Sequence, residues 1–178
     1  MRVVIAGGGT GGHVIPGIAI AKSLLEINPR SRILFVGTRA GLESKLVPEH
    51  GFSISFLPAK PLKGRNIIGR IKFFAILPLS LLQAIRILQS SKPRVVVGVG
   101  GYVSLTTCLA ARLMGIPVIL QEQNSFPGRT NQLLSKFAKR IYIAFDNART
   151  RLPNGKCRTV GTPVRAELAV STMRLATH

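Results

Sequence analysis

The chain has 178 residues, of which 46% are hydrophobic and 18 are glycine. This length suits one domain with a buried core, and the composition argues against disorder. Lys and Arg number 25 against 6 Asp and Glu, which gives a net charge of +19. Such a charge predicts an anionic partner, which could be a nucleic acid, an anionic bilayer or a phosphorylated small molecule.

The sequence favours a cytoplasmic protein that can touch a membrane without crossing it. Cys108 and Cys157 show no metal-ligand spacing and are expected to be reduced thiols. The apolar start, Met1–Ala6, is too short for a signal peptide and is interpreted as a first strand. The longest charge-free apolar stretch, Phe73–Ile85, is well short of the roughly 20 residues that a spanning helix needs.

Short β-branched runs alternate with helical patterns along most of the chain. The predicted strands are Arg2–Ala6, Arg32–Val36, Ser53–Leu57, Arg94–Gly98, Pro117–Leu120 and Arg140–Ala144. The predicted helices are Pro16–Ile27, Leu42–His50, Ile67–Gln89, Leu105–Met114 and Arg129–Lys139. This alternation predicts an α/β fold with a Rossmann-like, doubly wound parallel sheet. Ligands of such sheets bind at the carboxyl ends of the strands, so the loops after strands one, four and five are the expected sites. From about Leu152 the alternation is lost.

A glycine-rich loop follows the first strand. It reads Gly7-Gly-Gly-Thr10-Gly11-Gly12-His13 and fits the pattern G-x-G-x-x-G. Such a loop lets backbone N–H groups approach a diphosphate at the positive end of a helix. A NAD site would add an acid at the end of the second strand, and none stands there. Arg39 at that position leaves an NADP site open as an alternative.

A second glycine loop, Gly98-Val-Gly100-Gly101-Tyr102, follows the fourth strand. Two such loops on neighbouring strand ends would straddle the point where the strand order reverses. A single nucleotide cofactor needs one loop of this kind. Two loops suggest either one large diphosphate ligand or two ligands that meet in one cleft.

Polar residues follow the fifth strand, in the order Gln121-Glu122-Gln123-Asn124. Their position at a strand's carboxyl end favours ligand contact over a solvated turn. His13 lies at the start of a helix beside the first glycine loop, where the helix dipole favours the neutral imidazole. It is therefore a candidate base or phosphate contact.

A basic segment, Lys60–Arg65, precedes an unusually apolar helix in which Pro78 is expected to cause a kink or an interruption. Basic residues beside an apolar helix are typical of an interfacial membrane patch, and a buried core helix with a basic loop is the alternative. Nucleic-acid binding would also explain the charge. It is disfavoured because the chain has only 2 Tyr and no aromatic cluster among its basic residues.

Together these motifs resemble the MurG family of bacterial UDP-N-acetylglucosamine transferases, which glycosylate lipid I to give lipid II in peptidoglycan synthesis. The resemblance runs from Met1 to about Leu168 and rests on four motifs in order. These are Gly8–His13 with Pro16-Gly17, then Gly100–Ser104, then Glu122–Asn124, and finally Thr162–Arg165.

The resemblance implies the N-terminal half of a GT-B glycosyltransferase, peripheral to the cytoplasmic face of the inner membrane. This half would receive a polyprenyl-diphosphate lipid acceptor and dock on the anionic membrane surface, while a C-terminal domain holds most of the UDP-sugar. The transfer would invert the anomeric carbon without a metal or other cofactor. By motif, the residues that contact UDP-N-acetylglucosamine would be Thr10, Gly11, Gly12, Asn124 and Arg165. The acceptor diphosphate loop would comprise Gly100, Gly101 and Tyr102. His13 would be the catalytic base, with Glu122 as the second candidate or as its support.

Three features depart from the family pattern. Gln121 stands where the family usually has His, and Thr162 replaces a usual Asn. The chain also has about half the family's length, so residues 1–165 are expected to form the acceptor-side domain and 166–178 a short tail, without the donor-binding domain. We therefore expect no sugar transfer by this polypeptide alone. The alternatives are an acceptor-binding subunit whose donor domain is a separate chain, and an NADP-binding oxidoreductase fragment.

Overall fold

A parallel β-sheet is the centre of the molecule. The computed structural model describes residues 1–58 and 67–163, and within the helix that begins at Ile67 it describes side chains from residue 76 onward. The seven strands are β1 (Arg2–Gly7), β2 (Arg32–Gly37), β3 (Ser53–Phe56), β4 (Val95–Gly100), β5 (Val118–Glu122), β6 (Arg140–Ile143) and β7 (Cys157–Thr159). Their order is β3-β2-β1-β4-β5-β6-β7, and every neighbouring pair is parallel. The predicted Rossmann-like fold class is confirmed.

Helices cover both faces of the sheet. They are α1 (Gly11–Ile27), α2 (Glu43–Glu49), α3 (Ile67–Ser91), α4 (Gly101–Leu113) and α5 (Arg129–Ser135), followed by 3₁₀ turns at Asp146–Arg151 and Asn154–Lys156. Side chains alternate between faces along a strand. Val3 and Ile5 therefore pack in the cluster that includes α1 and α2 residues, whereas Val4 and Ala6 pack in the cluster that includes α3, α4 and α5 residues. Both faces of β1 are buried, as expected for a central parallel strand.

Several predicted boundaries were wrong. Helix α1 begins at Gly11 and contains Pro16 in its second turn, and α4 begins at Gly101, four residues before the predicted start. Glycine has a low helix propensity, so both first turns were interpreted as loop. Helix α3 continues past Pro78 without interruption. Strand β7 was missed because it has three residues and only one of them is β-branched.

The part of the chain outside the described ranges includes several predicted features. The basic residues of the segment Lys60–Arg65 lie there, as do Arg165 and the predicted tail. Among the helices of the described ranges, none combines the length and the apolar character that crossing a membrane requires.

Candidate functional site

The two glycine loops lie side by side. The strand order reverses between β1 and β4, and Gly7 pairs with Gly100 where these two strands end. Gly101 has φ +80°, and a Cβ placed on it would be 2.7 Å from the Gly8 carbonyl oxygen. The loops therefore touch through backbone atoms, and the prediction that they straddle the switch point is confirmed.

The side chain of His13 contacts both glycine loops. It lies in the first turn of α1, where its Nδ1 shares a 3.0 Å hydrogen bond with Thr10 Oγ1. Its ring packs on the second loop, since a Cβ added to Gly100 would lie 2.4 Å from His13 Cδ2 and 2.7 Å from its Nε2. Gly100 has φ +105°, which favours glycine at this position, and a side chain there would displace the His13 ring.

Burial lowers the pKa of His13, and the carboxylates of Glu122 and, to a smaller extent, Glu43 act in the opposite direction. The imidazole is therefore mainly neutral at neutral pH. In the tautomer whose Nδ1–H donates to Thr10 Oγ1, the Nε2 lone pair is left as an acceptor beside the second loop. This arrangement allows the ring to take up a proton.

Glu122 is buried at the end of β5, with 1% of its surface exposed. Its Oε1 accepts hydrogen bonds from the backbone and side-chain amides of Asn124, both at 2.9 Å. Its Oε2 accepts from Gly128 N–H at 3.0 Å and from Asn131 Nδ2 at 2.9 Å. Since four donors occupy this carboxylate, its geometry suits holding the loop after β5 better than accepting a proton from a ligand.

The polar run after β5 divides into buried and exposed members. Gln121 is 3% exposed, and its Nε2 has no hydrogen-bond partner among the residues that the structure describes. Asn124 is exposed at the mouth of the site, where its position is set by Glu122. This run is not a solvated turn, because its first two members are enclosed by the protein.

The remaining predicted site residues that the structure describes lie in the first loop or beside it. Thr10 and Gly12 are exposed and Gly11 is half-buried at the start of α1. Tyr102 is half-buried in the first turn of α4, and a Cβ on Gly9 would lie 3.9 Å from its Cε1. Tyr102 thus belongs to the second loop by sequence but approaches the first one in space.

Glu43, in the first turn of α2, was not predicted as a site residue. Its side chain is 1% exposed and accepts hydrogen bonds from Gly9 N–H, Thr38 N–H and Thr38 Oγ1 at 2.8, 2.8 and 2.9 Å. It thus joins the first glycine loop to the end of β2. The available signal was its rarity as one of 6 acidic residues, directly after a glycine-containing turn.

Arg39, the residue behind the NADP alternative, places its guanidinium 5.0 Å from the centre of the Phe56 ring at the end of β3. Across residues 1–58 and 67–163, no group of three or more His, Cys, Asp or Glu side chains is arranged to hold a metal ion.

Residues 3–143 match the glycosyltransferase family 28 N-terminal domain. The chain belongs to this family. It is 44% identical over 174 residues to the UDP-N-acetylglucosamine--N-acetylmuramyl-(pentapeptide) pyrophosphoryl-undecaprenol N-acetylglucosamine transferase of Myxococcus xanthus, covering 98% of this chain and 45% of the relative. The enzyme of the same name from Syntrophus aciditrophicus is 43% identical over 93% of this chain and 46% of its own length.

Solved structures agree with this assignment. MurG of Acinetobacter baumannii superposes with a TM-score of 0.75 and 30% identity, over 94% of this chain and 47% of that one. The UDP-GlcNAc 2-epimerase of Neisseria meningitidis, bound to UDP-GlcNAc, has a TM-score of 0.67 at 17% identity, over 99% of this chain and 51% of its own, which shows a shared fold. The resemblance to MurG is confirmed, and the chain spans about half the length of the relatives it matches.

Proposed function

We propose that this chain is the acceptor-side half of an inverting N-acetylglucosaminyltransferase that converts lipid I into lipid II. The observation that carries the proposal is the contact between the two glycine loops, with His13 between them. Two adjacent loops of this kind suit a reaction in which a diphosphate lipid and a nucleotide diphosphate sugar meet. The names of the relatives describe such a reaction.

In the proposed reaction, His13 is the general base. Its Nε2 takes the proton of the acceptor hydroxyl as that oxygen bonds to C1 of the sugar, and the bond from C1 to UDP breaks. The buried Glu122 carboxylate stabilises the imidazolium that forms, since it acts on His13 through space and raises its pKa. Glu122 is thus assigned to support and not to proton transfer.

The ligand contacts divide between the two loops. Thr10, Gly11 and Gly12 offer a hydroxyl and the first amides of α1 to UDP-N-acetylglucosamine, and Asn124 adds a side-chain amide from the loop after β5. Arg165 completes this set, on the basis that Thr162–Arg165 resembles a motif of the family. Gly100, Gly101 and Tyr102 form the loop for the acceptor diphosphate. A donor-binding half, in the same polypeptide or in a second chain, is needed for transfer.

The test joins this chain to the donor-binding half of the Myxococcus xanthus relative and measures labelled sugar transfer from UDP-N-acetylglucosamine to lipid I. We expect lipid II from the joined protein and none from residues 1–178 alone. His13→Gln should lower kcat by about 10²–10⁴-fold. His50→Gln is the matched control, because the His50 imidazole bonds the Leu46 carbonyl of α2 and lies outside both glycine loops. Full activity of the His13 variant would refute the assignment of the base.

We propose further that the chain docks on the cytoplasmic face of the inner membrane through α3. Leu79 and Leu82 are each 56% exposed, and Arg86 follows them on the same helix face. The inner face of this helix is tied to the sheet, since Ser80 Oγ donates to the Pro58 carbonyl and Gln83 Nε2 donates to the Phe56 carbonyl. An exposed apolar stripe on a chain of net charge +19 suits an anionic bilayer.

Vesicle sedimentation tests this docking surface. The chain should bind vesicles with anionic headgroups and bind neutral vesicles weakly, with an affinity that falls as salt rises. The double variant Leu79→Ser/Leu82→Ser should weaken binding about tenfold or more, because two apolar side chains no longer enter the bilayer. Leu133→Ser is the control, since Leu133 is 50% exposed on α5. An equal loss of vesicle affinity in the double variant and in Leu133→Ser would exclude α3 as the docking surface.

A further inference from the structure

The carboxyl group of Glu43 is buried beneath the first glycine loop. Among the residues that the structure describes, Glu43 and Glu122 are buried acidic residues, and each is 1% exposed. Glu122 follows from the sequence motif after β5. Glu43 belongs to none of the glycine or polar motifs, and it lies 34 residues from the loop amide that it binds.

Three glycines pack closely against the Glu43 side chain, in addition to its hydrogen bonds. A Cβ on Gly8 would lie 2.2 Å from Glu43 Oε1, and one on Gly41 would lie 2.0 Å from Oε2. A Cβ on Gly37 would lie 2.4 Å from Glu43 Cγ. A side chain added to any of these three glycines would displace Glu43, so the glycines keep its carboxylate in a fixed position beneath the loop.

The hydrogen bond that the Gly9 N–H donates to Glu43 determines which backbone amides of the loop remain available to a ligand. Gly9 has φ +92° and donates its N–H inward to Glu43 Oε2 at 2.8 Å. That donor is therefore not available to a diphosphate. The amides of Gly11 and Gly12 stand at the start of α1 and lack partners within the helix, so they remain for an anion.

We propose that Glu43 is a positioning residue of the diphosphate site, which holds the Gly9 amide inward so that the amides of Gly11 and Gly12 face the ligand. This inference rests on the proposed function for the identity of the ligand. A carboxylate is needed because three donors converge on its two oxygens. A glutamine of the same size would turn an N–H₂ group toward one of these donors.

Glu43→Gln tests the proposal with UDP-N-acetylglucosamine and a short-chain polyprenyl diphosphate as probes, in calorimetric titrations of the full chain. We expect roughly tenfold weaker binding of UDP-N-acetylglucosamine, since a misplaced first loop loses its alignment with that ligand, and a smaller change for the polyprenyl diphosphate, which is assigned to the second loop. Thr38→Val removes one donor to the same carboxylate but keeps the Gly9 contact, and it should weaken binding less than about threefold. Glu49→Gln, at the exposed end of α2, should bind as the unchanged chain does.

Amide hydrogen exchange separates the failure of this proposal from failure of the proposed function. If the unchanged chain binds neither probe, the proposed ligands are wrong, and Glu43 is judged by exchange alone. The Gly9 amide should then be protected in the unchanged chain and should exchange at least about tenfold faster in Glu43→Gln, while β4 amides stay protected. An unprotected Gly9 amide in the unchanged chain would overturn the proposal even if the variant does not fold. Equal affinity losses in Glu43→Gln and Thr38→Val would reduce Glu43 to a structural role.

Discussion

The two glycine loops meet at the same point of the sheet, but they are held in different ways. The first loop, Gly7–Gly12, is bonded through the Gly9 amide to a buried carboxylate. The second, Gly98–Tyr102, is held by close packing, with Gly100 against the His13 ring and Gly101 against the Gly8 carbonyl.

This difference teaches that similar glycine patterns serve different physical needs. In the first loop, Gly8 leaves room for the Glu43 carboxylate. In the second loop, both Gly100 and Gly101 have positive φ, which favours glycine, and at Gly101 the close approach of the Gly8 carbonyl leaves no room for a side chain. Substitutions to alanine should therefore affect the loops to different degrees.

The largest loss of stability is expected for Gly101→Ala. A left-handed backbone costs an alanine about 1–2 kcal/mol, and the new Cβ would press on the Gly8 carbonyl, so we expect a total of roughly 3 kcal/mol. Gly115→Ala is the matched control, because Gly115 has φ +71° with nothing within 4 Å of its added Cβ. Urea unfolding measures both, and equal losses would mean that the two loops do not touch.

Gly8→Ala should cause the next largest loss of stability, about 2 kcal/mol. The Glu43 carboxylate must move to make room for the new methyl group, and it then gives up hydrogen bonds. The comparison is Gly11→Ala, where the nearest contact of the added Cβ is 3.8 Å away. That variant should be neutral or slightly more stable, since alanine favours a helix over glycine. A Gly8 variant as stable as the Gly11 variant would contradict the anchoring of the first loop by Glu43.

Gly100→Ala should destabilise the chain by about 1–2 kcal/mol, because φ +105° with ψ 174° is a conformation that alanine rarely adopts. The His13 ring is able to rotate away from the new methyl group, so crowding adds little. Once displaced, the ring is less buried, and the pKa of His13 should rise toward its ordinary value. NMR titration of the imidazole measures this change. A pKa equal to that of the unchanged chain would show that the ring does not pack on the second loop.

The smallest effect is a dependence of stability on pH. Burial lowers the pKa of His13 in the folded chain, so below the ordinary value of about 6.5 the unfolded chain binds the proton more readily. The contribution of neutral His13 to the free energy of unfolding is complete above about pH 6.5. It is lost as the pH falls through the lower pKa of His13 in the folded chain. The difference in unfolding free energy between the unchanged chain and His13→Asn should therefore change across this range. A constant difference would exclude a lowered pKa.

Much of the architecture could be predicted because its signals are local. The predicted strands Arg32–Val36 and Arg94–Gly98 are mostly apolar with β-branched residues, a pattern that indicates strands buried on both faces, and β2 and β4 lie there within two residues at each end. The alternation with helices then implies parallel pairing and a switch point. The helix starts at Gly11 and Gly101 could not be predicted from propensity, because tertiary contacts and not glycine's preference stabilise those turns.

The sequence by itself determined the fold class, the position of both glycine loops and the polar run after β5, because strand periodicity and glycine motifs are encoded in neighbouring residues. Only the tertiary structure decided that Glu43 supports the first loop and that Glu122 is fully hydrogen-bonded. It also decided that His13 lies on Gly100. These contacts join residues on different strand ends, and their partners follow from the order of strands in the sheet, which no local pattern specifies.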